Sequence, residues 1–474
     1  MHSPKSDPID ATETAPHSHT LPSTGGKVFA LGVLFAMNLL NYVDRYTFFG
    51  VAEQIKTDFK IDSFWYSVLG VSFMIVYTIV SPFMGWLGDR YHRRALLAGG
   101  VALWSLATVG TALSYDYWHI FFWRSLLGIG EASYGVIAPA LIADLFPVRE
   151  RGRAMGIYYL ALPLGGALGY GLGSWIGQDH GWRAAFFVVG LPGLLAAAAG
   201  LVMSDPGRGA SEGGEIAGKA DRPGMLDYFR LFLIPSFVLN TAGMAAITFA
   251  TGAYAVHGSN FYQEVRGMSM KEAGTRIGGL TAIAGLLGIA LGSFLADFLR
   301  KRTRRAYLLL AGLCAVASAP LGLLAILVSD HTISLGLLFG AMVMLSMVLG
   351  PCNTVIANVV PARERASGYA VYILLIHLFG DISSPVLLGL LSGLFSRPEV
   401  VASPIGRFFA SIGASPVHTA AGDENLTVAL LAVTPVLVLG AILFLIGARF
   451  LEADEDRAHA AGGAHDPSGS LHFH

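Results

Sequence analysis

Charge is what this sequence has least of. Of its 474 residues only 13% are Asp, Glu, Lys or Arg, about half the share found in soluble domains, which excludes an ordinary water-soluble enzyme. The formal net charge of −1 excludes a nucleic-acid binder working through a strongly basic surface. There are only two cysteines, Cys314 and Cys352. Both lie inside apolar runs without metal or redox spacing, so neither a disulfide nor thiol chemistry is expected. No complete Gly-x-x-x-x-Gly-Lys-Ser/Thr phosphate loop occurs, which argues against ATP-driven work. No His-Glu-x-x-His motif or metal cluster occurs either, and no Gly-x-Ser-x-Gly lies on a strand-to-helix turn as a nucleophile elbow requires, so no enzyme activity and no cofactor are expected. What remains is apolar. Hydrophobic residues make up 54% of the chain, with 58 Gly and 21 Pro, a combination that suits membrane helices, where neighbouring helices satisfy freed backbone groups.

A spanning helix needs about 20 mainly apolar residues. Twelve stretches qualify, over 28–51, 64–88, 94–115, 118–144, 152–177, 183–203, 231–257, 275–299, 305–328, 332–360, 366–395 and 427–451. The polar stretch 1–26 has no apolar core of its own and does not read as a cleaved signal peptide. The chain thus divides into an N-terminal tail 1–27, six spans over 28–203, a polar linker 204–230, six spans over 231–451 and a tail 452–474, acidic and then Gly/His-rich, expected to be disordered. With the N-terminus inside, inner segments hold 21 Lys and Arg residues against 8 in outer segments. This bias places both termini in the cytoplasm.

The second half echoes the first. Gly85-Trp-Leu-Gly88-Asp89-Arg90 after the second span is matched by Ser293-Phe-Leu-Ala296-Asp297 after the eighth. Pro147-Val-Arg149-Glu150-Arg151 after the fourth is matched by Pro361-Ala-Arg363-Glu364-Arg365 after the tenth. Offsets of 208 and 214 residues describe a parallel repeat of six spans. This predicts an all-α membrane protein of the major facilitator fold, twelve transmembrane helices in two pseudo-symmetric six-helix halves, with its substrate site near the midplane between them.

Closer motifs point further. Asn38-Leu-Leu-Asn41-Tyr42-Val-Asp44-Arg45, Gly130-Glu131-Ala-Ser133-Tyr134 with Ala138-Pro139 and Asp144, and Gly380-Asp381 with Ser384-Pro385 resemble the signatures of the Spinster-like branch of that superfamily. The resemblance is strongest in the first five spans and absent from the tails and linker. It implies a bacterial inner-membrane transporter that moves amphipathic lipids such as sphingosine phosphates and lysophospholipids, with proton coupling. It also implies a monomer whose partners are that substrate, protons and membrane lipids, with no nucleic acid.

An ionisable group at membrane depth costs roughly 2.5–3.5 kcal/mol even on lenient scales and therefore needs a partner or a wet cavity. At 1.5 Å per residue, Asp44 and Arg124 lie at equal depth, about 10 Å and about 9 Å below the outer face, and are expected to pair. Glu131 lies two turns beyond Arg124, near the midplane and among small residues. Asp44 and Glu131 are the proton-coupling candidates, and Arg124 and Arg45 are the charge-partner or headgroup candidates. Arg45 points about 100° away from Asp44, toward a different partner. His377 and Asp381 share a face of the eleventh span. Tyr42, Tyr134, Thr248, Thr251, Asn353, His377, Asp381 and Ser384 are the candidate cavity residues, the polar ones having interhelical hydrogen bonding as the structural alternative. Asp89, Arg93, Arg149, Asp297 and Arg363 are expected to latch the two halves at the cytoplasmic loops. Two functions compete on these residues: a proton-linked transporter of amphipathic anionic lipids, and a proton symporter for a small organic acid, which calls for a denser mid-depth ring of cations.

Overall fold

The computed structural model describes residues 22–61, 63–212, 225–419 and 422–462. Among them, eleven helices are long and apolar enough to cross a membrane. Span 1 is Thr24–Gly50, span 2 Ser63–Arg90, span 3 Arg93–Ala112, span 4 Tyr117–Leu145 and span 6 Trp182–Val202. Span 7 is Pro235–Glu264, span 8 Met270–Arg300 and span 9 Ala306–Leu327. Span 10 joins His331–Met347 to Leu349–Val359, and span 12 joins Leu426–Leu431 to Val433–Gly462. The twelfth element, span 5, is broken into Val148–Tyr159 and Ala161–His180. The fold is that of the major facilitators, two six-helix halves. The linker stretch 213–224 and the tail stretches 1–21 and 463–474 lie outside the described residues.

Local chemistry sets the helix ends. The side chains of Ser23, Asp116, Ser269, Asp330 and Asn425 each accept a backbone N–H three residues on, the capping geometry that satisfies orphan donors. The breaks have causes as well. Pro163 has no N–H for the Tyr159 carbonyl and its ring crowds that oxygen, so span 5 breaks four residues before it. Pro385 acts in the same way on Asp381 in span 11. There the helix Arg365–Ile376 passes into a π turn, His377–Asp381, before Ser383–Leu394. The Ile382 N–H reaches back five residues to the His377 carbonyl at 3.1 Å, and Gly380 leaves helical geometry at φ −103° and ψ −108°. Spans 5 and 11, which correspond in the repeat, are thus both broken after a first helix of 12 residues.

Span 1 is seated by glycines of span 5. Gly165, Gly169 and Gly173 recur every fourth residue, and a Cβ would lie 2.9 Å from the Leu39 carbonyl at Gly165 and 2.8 Å from the Thr47 carbonyl at Gly173. Small residues at this spacing let helix backbones approach closely. Gly169→Val forces the two helices apart and is expected to cost about 1–3 kcal/mol through overpacking, read as a lowered Tm of the detergent-solubilised protein.

Span 12 corrects an expectation. The acidic stretch after Leu451, expected to begin a disordered tail, continues the helix to Gly462. The composition Glu-Ala-Asp-Glu-Asp-Arg-Ala-His favours helix, and ion pairs hold it: Arg305 with Glu452 at 3.1 Å, Arg300 with Glu455 at 2.9 Å. On the opposite face, two short helices, Pro398–Val401 and Pro404–Ser411, and an antiparallel hairpin, Val417–Thr419 with Gly422–Glu424, connect spans 11 and 12.

Candidate functional site

The mid-depth charges are present, but paired differently from expectation. Asp44 and Arg124 do not form an ion pair. Asp44 accepts a hydrogen bond from the Thr108 hydroxyl of span 3. Arg124 donates through Nε to the Leu69 carbonyl of span 2 at 2.9 Å, with its guanidinium 3.7 Å from the centre of the Phe48 ring. The azimuth decides the contact, and Asp44 faces span 3. Its neighbour Arg45, one residue and about 100° round the helix, faces the interior and forms the ion pair with Glu131.

That pair sits in an aromatic collar. The Arg45 guanidinium lies 5.1 Å from the Tyr42 ring centre, 4.8 Å from Phe73 and 5.9 Å from Tyr77, within cation–π range. Glu131 is 1% exposed and Arg45 15%, so the carboxylate is shut in while the cation has an open side. One Glu131 oxygen, Oε1, and one Asp44 oxygen, Oδ1, have no hydrogen-bond partner among the described residues. Beyond Tyr77 the chain of contacts crosses to the second half: its ring meets that of His377 edge-on at 5.8 Å. His377 Nδ1 lies 2.9 Å and 3.1 Å from the two oxygens of Asp381. The Asp381 side chain is 32% exposed, the most open of these charges. The π turn of span 11 therefore presents His377 and Asp381 opposite Arg45 and Glu131. From Tyr42, a wall of Tyr46, Phe49 and Tyr170 leads toward the face opposite the arginine-rich loops, with ring centres 5.3–6.5 Å apart.

The other expected cavity residues divide. Tyr42 lines the collar. Tyr134 is 2% exposed and donates to the Leu34 carbonyl at 2.7 Å, so it ties span 4 to span 1 inside the first half and does not face the cavity. Thr248 donates to the Ile376 carbonyl of span 11 at 3.0 Å, and Thr251 to the Thr248 carbonyl at 3.1 Å. Both serve packing. Asn353 is buried and accepts from Tyr159 of the first half at 2.8 Å. Ser384 is fully buried, with an unpartnered hydroxyl.

On the arginine-rich face the halves are fastened by contacts that obey the repeat. Asp89 at the end of span 2 accepts from the backbone N–H groups of Ala366 and Ser367, at 3.1 Å and 2.8 Å, and from the Ser367 hydroxyl, capping the start of span 11. Its counterpart Asp297 accepts from the Arg153 N–H at the start of span 5, at 2.9 Å, and from the Tyr307 hydroxyl. A carboxylate at a helix N-terminus also meets the favourable end of the dipole. Arg365 donates to Asp144 at 2.6 Å and to the Ala357 carbonyl at 2.8 Å. Its counterpart Arg151 donates to Asn358 at 2.8 Å and to the Ala143 carbonyl at 3.0 Å. Arg93 forms a buried pair with the second oxygen of Asp144. The linker joins in, with Gly209 N–H on Asp144 at 3.0 Å and Arg208 on the Gly88 and Tyr91 carbonyls.

Of the expected latch residues, Asp89 and Asp297 make contacts that cross from one half to the other, Arg93 pairs with Asp144 inside its own half, and Arg149 and Arg363 make no such crossing among the described residues. Arg149 is exposed, and among the described residues Arg363 reaches only its neighbour Glu364, at 3.3 Å. The second arginine of each Pro-x-Arg-Glu-Arg does the work, because two residues along a helix turn a side chain about 200°, from solvent to the interface. Asp144 and Asn358, each three residues before the repeated proline, were visible in the repeat as polar residues at matching places. Among the described residues, all hydrogen bonds and ion pairs between the halves lie on this side, from Asn353 inward.

Comparison with known proteins agrees with this architecture. A family profile described as Major Facilitator Superfamily matches residues 34–385. The chain is 33% identical over 493 residues to Protein spinster of Drosophila melanogaster, covering 94% of this chain and 81% of that protein. It is 34% identical over 472 residues to human Protein spinster homolog 1, covering 94% and 85%. It is 31% identical over 449 residues to the sphingosine-1-phosphate transporter SPNS2 of Danio rerio, covering 90% and 85%. Among solved structures, a bacterial homologue of the human lysosomal transporter Spinster, inward-facing and unoccupied, superposes with a TM-score of 0.56 at 24% identity, covering 94% of this chain and 100% of that one. The proton:xylose symporter XylE superposes with a TM-score of 0.67 at 15% identity, covering 91% and 96%, which speaks to fold alone. The chain belongs to the major facilitator superfamily and, within it, to the Spinster family of transporters.

Proposed function

We propose that this transporter is a proton-coupled carrier of amphipathic anionic lipids, lysophospholipid-like or sphingoid-phosphate-like, working by alternating access as a monomer in a bacterial inner membrane. The observation that carries the reading is the Arg45–Glu131 pair in its aromatic collar. A headgroup anion entering from the open side of Arg45 competes with Glu131 for the guanidinium. The released carboxylate, 1% exposed, is then costly to keep charged and takes a proton. Anion and proton are bound together, and loss of either returns Arg45 to Glu131. Asp44, Arg124, Tyr42 and Tyr77 complete the charged and titratable surroundings of that site, while His377 and Asp381 offer a second proton site across the half boundary. The walls of Tyr42, Tyr46, Phe49 and Tyr170 suit an apolar tail. Each CH₂ kept from water gains about 0.8 kcal/mol.

The 21 to 8 bias of basic residues supports cytoplasmic placement of both termini and of the latch. A chain fastened on that face, with no hydrogen bond or ion pair between its halves on the other among the described residues, is then outward-facing, and a tail can enter sideways between the halves.

The test is flux in proteoliposomes with and without an imposed pH gradient, using a series of single-chain phospholipids of increasing length beside a tail-less carboxylate. Wild-type flux should respond to the gradient and affinity should rise with chain length until the cavity is filled. Flat affinity with tight carboxylate binding would instead favour the small-acid symporter. Asp44→Asn and Glu131→Gln are each expected to remove the pH response while the protein stays folded. If both variants respond as wild type does, the proton assignment is wrong. Asp58 provides a control. On the face opposite the latch it accepts from Arg183 at 2.5 Å and Trp182 at 3.0 Å, and the Arg183 hydrogen bond holds its carboxyl below the usual range. The stabilisation this tie gives is complete above the ordinary carboxylate range and is lost only as pH falls through the lowered value. Asp58→Asn should therefore leave the neutral-pH transport profile unchanged.

A further inference from the structure

At one corresponding pair on the arginine-rich face the two halves differ in the chemistry of the contact. Asp144 offers Arg365 a carboxylate, whereas the residue 214 places on, Asn358, offers Arg151 an amide. The ends of an amide differ, one accepting and the other donating. Rotated by half a turn, Asn358 would aim two N–H donors at a guanidinium. What holds it is behind it: Asn358 Nδ2 donates to Glu455 Oε1 at 3.1 Å. Glu455 is 0% exposed, on the stretch of span 12 that continues past the last apolar residues. Its other oxygen accepts from Arg300 at 2.9 Å and Arg304 at 3.5 Å. The second half's own arginines thus fix Glu455 from one side and leave one oxygen for the amide.

We propose that Glu455 is the positioning residue of the latch: it orients the Asn358 amide so that its carbonyl faces Arg151, and so couples the helical extension of span 12 to the closing of the two halves. The inference rests on the alternating-access reading above. The polarity of the chain of contacts makes it testable. In Glu455→Gln the new carbonyl has to face Arg300 and Arg304, so its N–H₂ faces Asn358. Asn358 then has to turn its carbonyl toward position 455 and its donors toward Arg151. In Asn358→Asp the carboxylate suits Arg151 but meets Glu455, a like charge in a buried place. In the double variant each donor again meets an acceptor. Arg300 donates to the glutamine carbonyl at position 455, and the glutamine N–H and Arg151 both donate to the carboxylate at position 358. Two changes that each open the latch should cancel.

The experiment uses the full chain in liposomes, with Cys314 and Cys352 replaced by alanine and a reporter introduced by Ser293→Cys. Ser293 is 2% exposed and packs in span 8 against Gly156 of span 5, so it becomes reachable only when this face opens. The rate of alkylation by a maleimide is read. Glu455→Gln and Asn358→Asp are each expected to raise it by about tenfold, the change that follows from losing one hydrogen bond to a charged group. The double variant should return to within about twofold of the parent. Asp89→Asn, which turns one of the two carboxylate acceptors at the start of span 11 into an N–H₂ donor facing donors, is the positive control. Glu455→Gln at the parent rate while Asp89→Asn is fast overturns the role of Glu455 alone, as does a double variant faster than either single. If Asp89→Asn is also without effect, the alternating-access reading of this face fails. Should Glu455→Gln fail to fold, recovery of folding on adding Asn358→Asp supports the same orientation, and no recovery overturns it.

Discussion

Asp144→Ala is expected to cost about 3–5 kcal/mol, the penalty for removing one partner from a buried ion pair, and to abolish transport. One carboxylate here serves two arginines from opposite halves. Arg93 and Arg365 are each 1% exposed and Asp144 is 0% exposed, so neither guanidinium has water to fall back on. The Gly209 N–H of the linker loses its acceptor as well. Asp144→Asn keeps the shape and one acceptor, and should fold better than alanine while still failing to hold both arginines. Thermal unfolding in detergent ranks the three proteins, and flux shows whether the closed face can still form. Wild-type flux in Asp144→Ala would mean that this face need not close during transport.

The second large effect is at Arg45. Arg45→Ala leaves Glu131 in the collar with no cation beside it, and a buried carboxylate left alone is penalised more heavily than the pair contributed. Loss of transport and a clear drop in Tm are expected from the single change. Adding Glu131→Gln should recover most of the stability, because both charges are then gone, but none of the transport. A double-mutant cycle that comes out additive would show that the two side chains do not meet. The same cycle on Asp44 and Arg124 should be close to additive, since Thr108 and the Leu69 carbonyl, not each other, are their partners.

Much of this architecture was legible before any coordinates. Hydropathy gives span length directly, because the bilayer demands about 20 apolar residues whatever their order. The repeat follows from loops that must be short and basic. What the sequence hid was rotation. Counting residues gives height along a helix but not the neighbour it faces, which is why equal depth matches Asp44 to Arg124 and leaves the different partner of Arg45 unnamed. The same ambiguity selected Arg149 and Arg363 where Arg151 and Arg365 point inward. The acidic end of span 12 misled for another reason. A polar segment reads as tail by composition, although its Glu, Ala and Arg residues suit a helix, and the cluster Arg300, Arg304 and Arg305 across from it holds that helix in place.

The exchange of contacts on the arginine-rich face is the geometry of an isologous interface, the kind a two-fold homodimer makes, drawn within a single chain. Asp89 holds the start of span 11 while Asp297 holds the start of span 5, and Arg365 reaches back to residue 144 while Arg151 reaches forward to residue 358. In a true dimer a substitution alters both sides at once. Here each can be changed singly, so every mutation has a mirror image on the same molecule. The difference between the two readings measures how far the halves have departed from equivalence. That comparison needs no reference protein, because each half of this transporter is the control for the other.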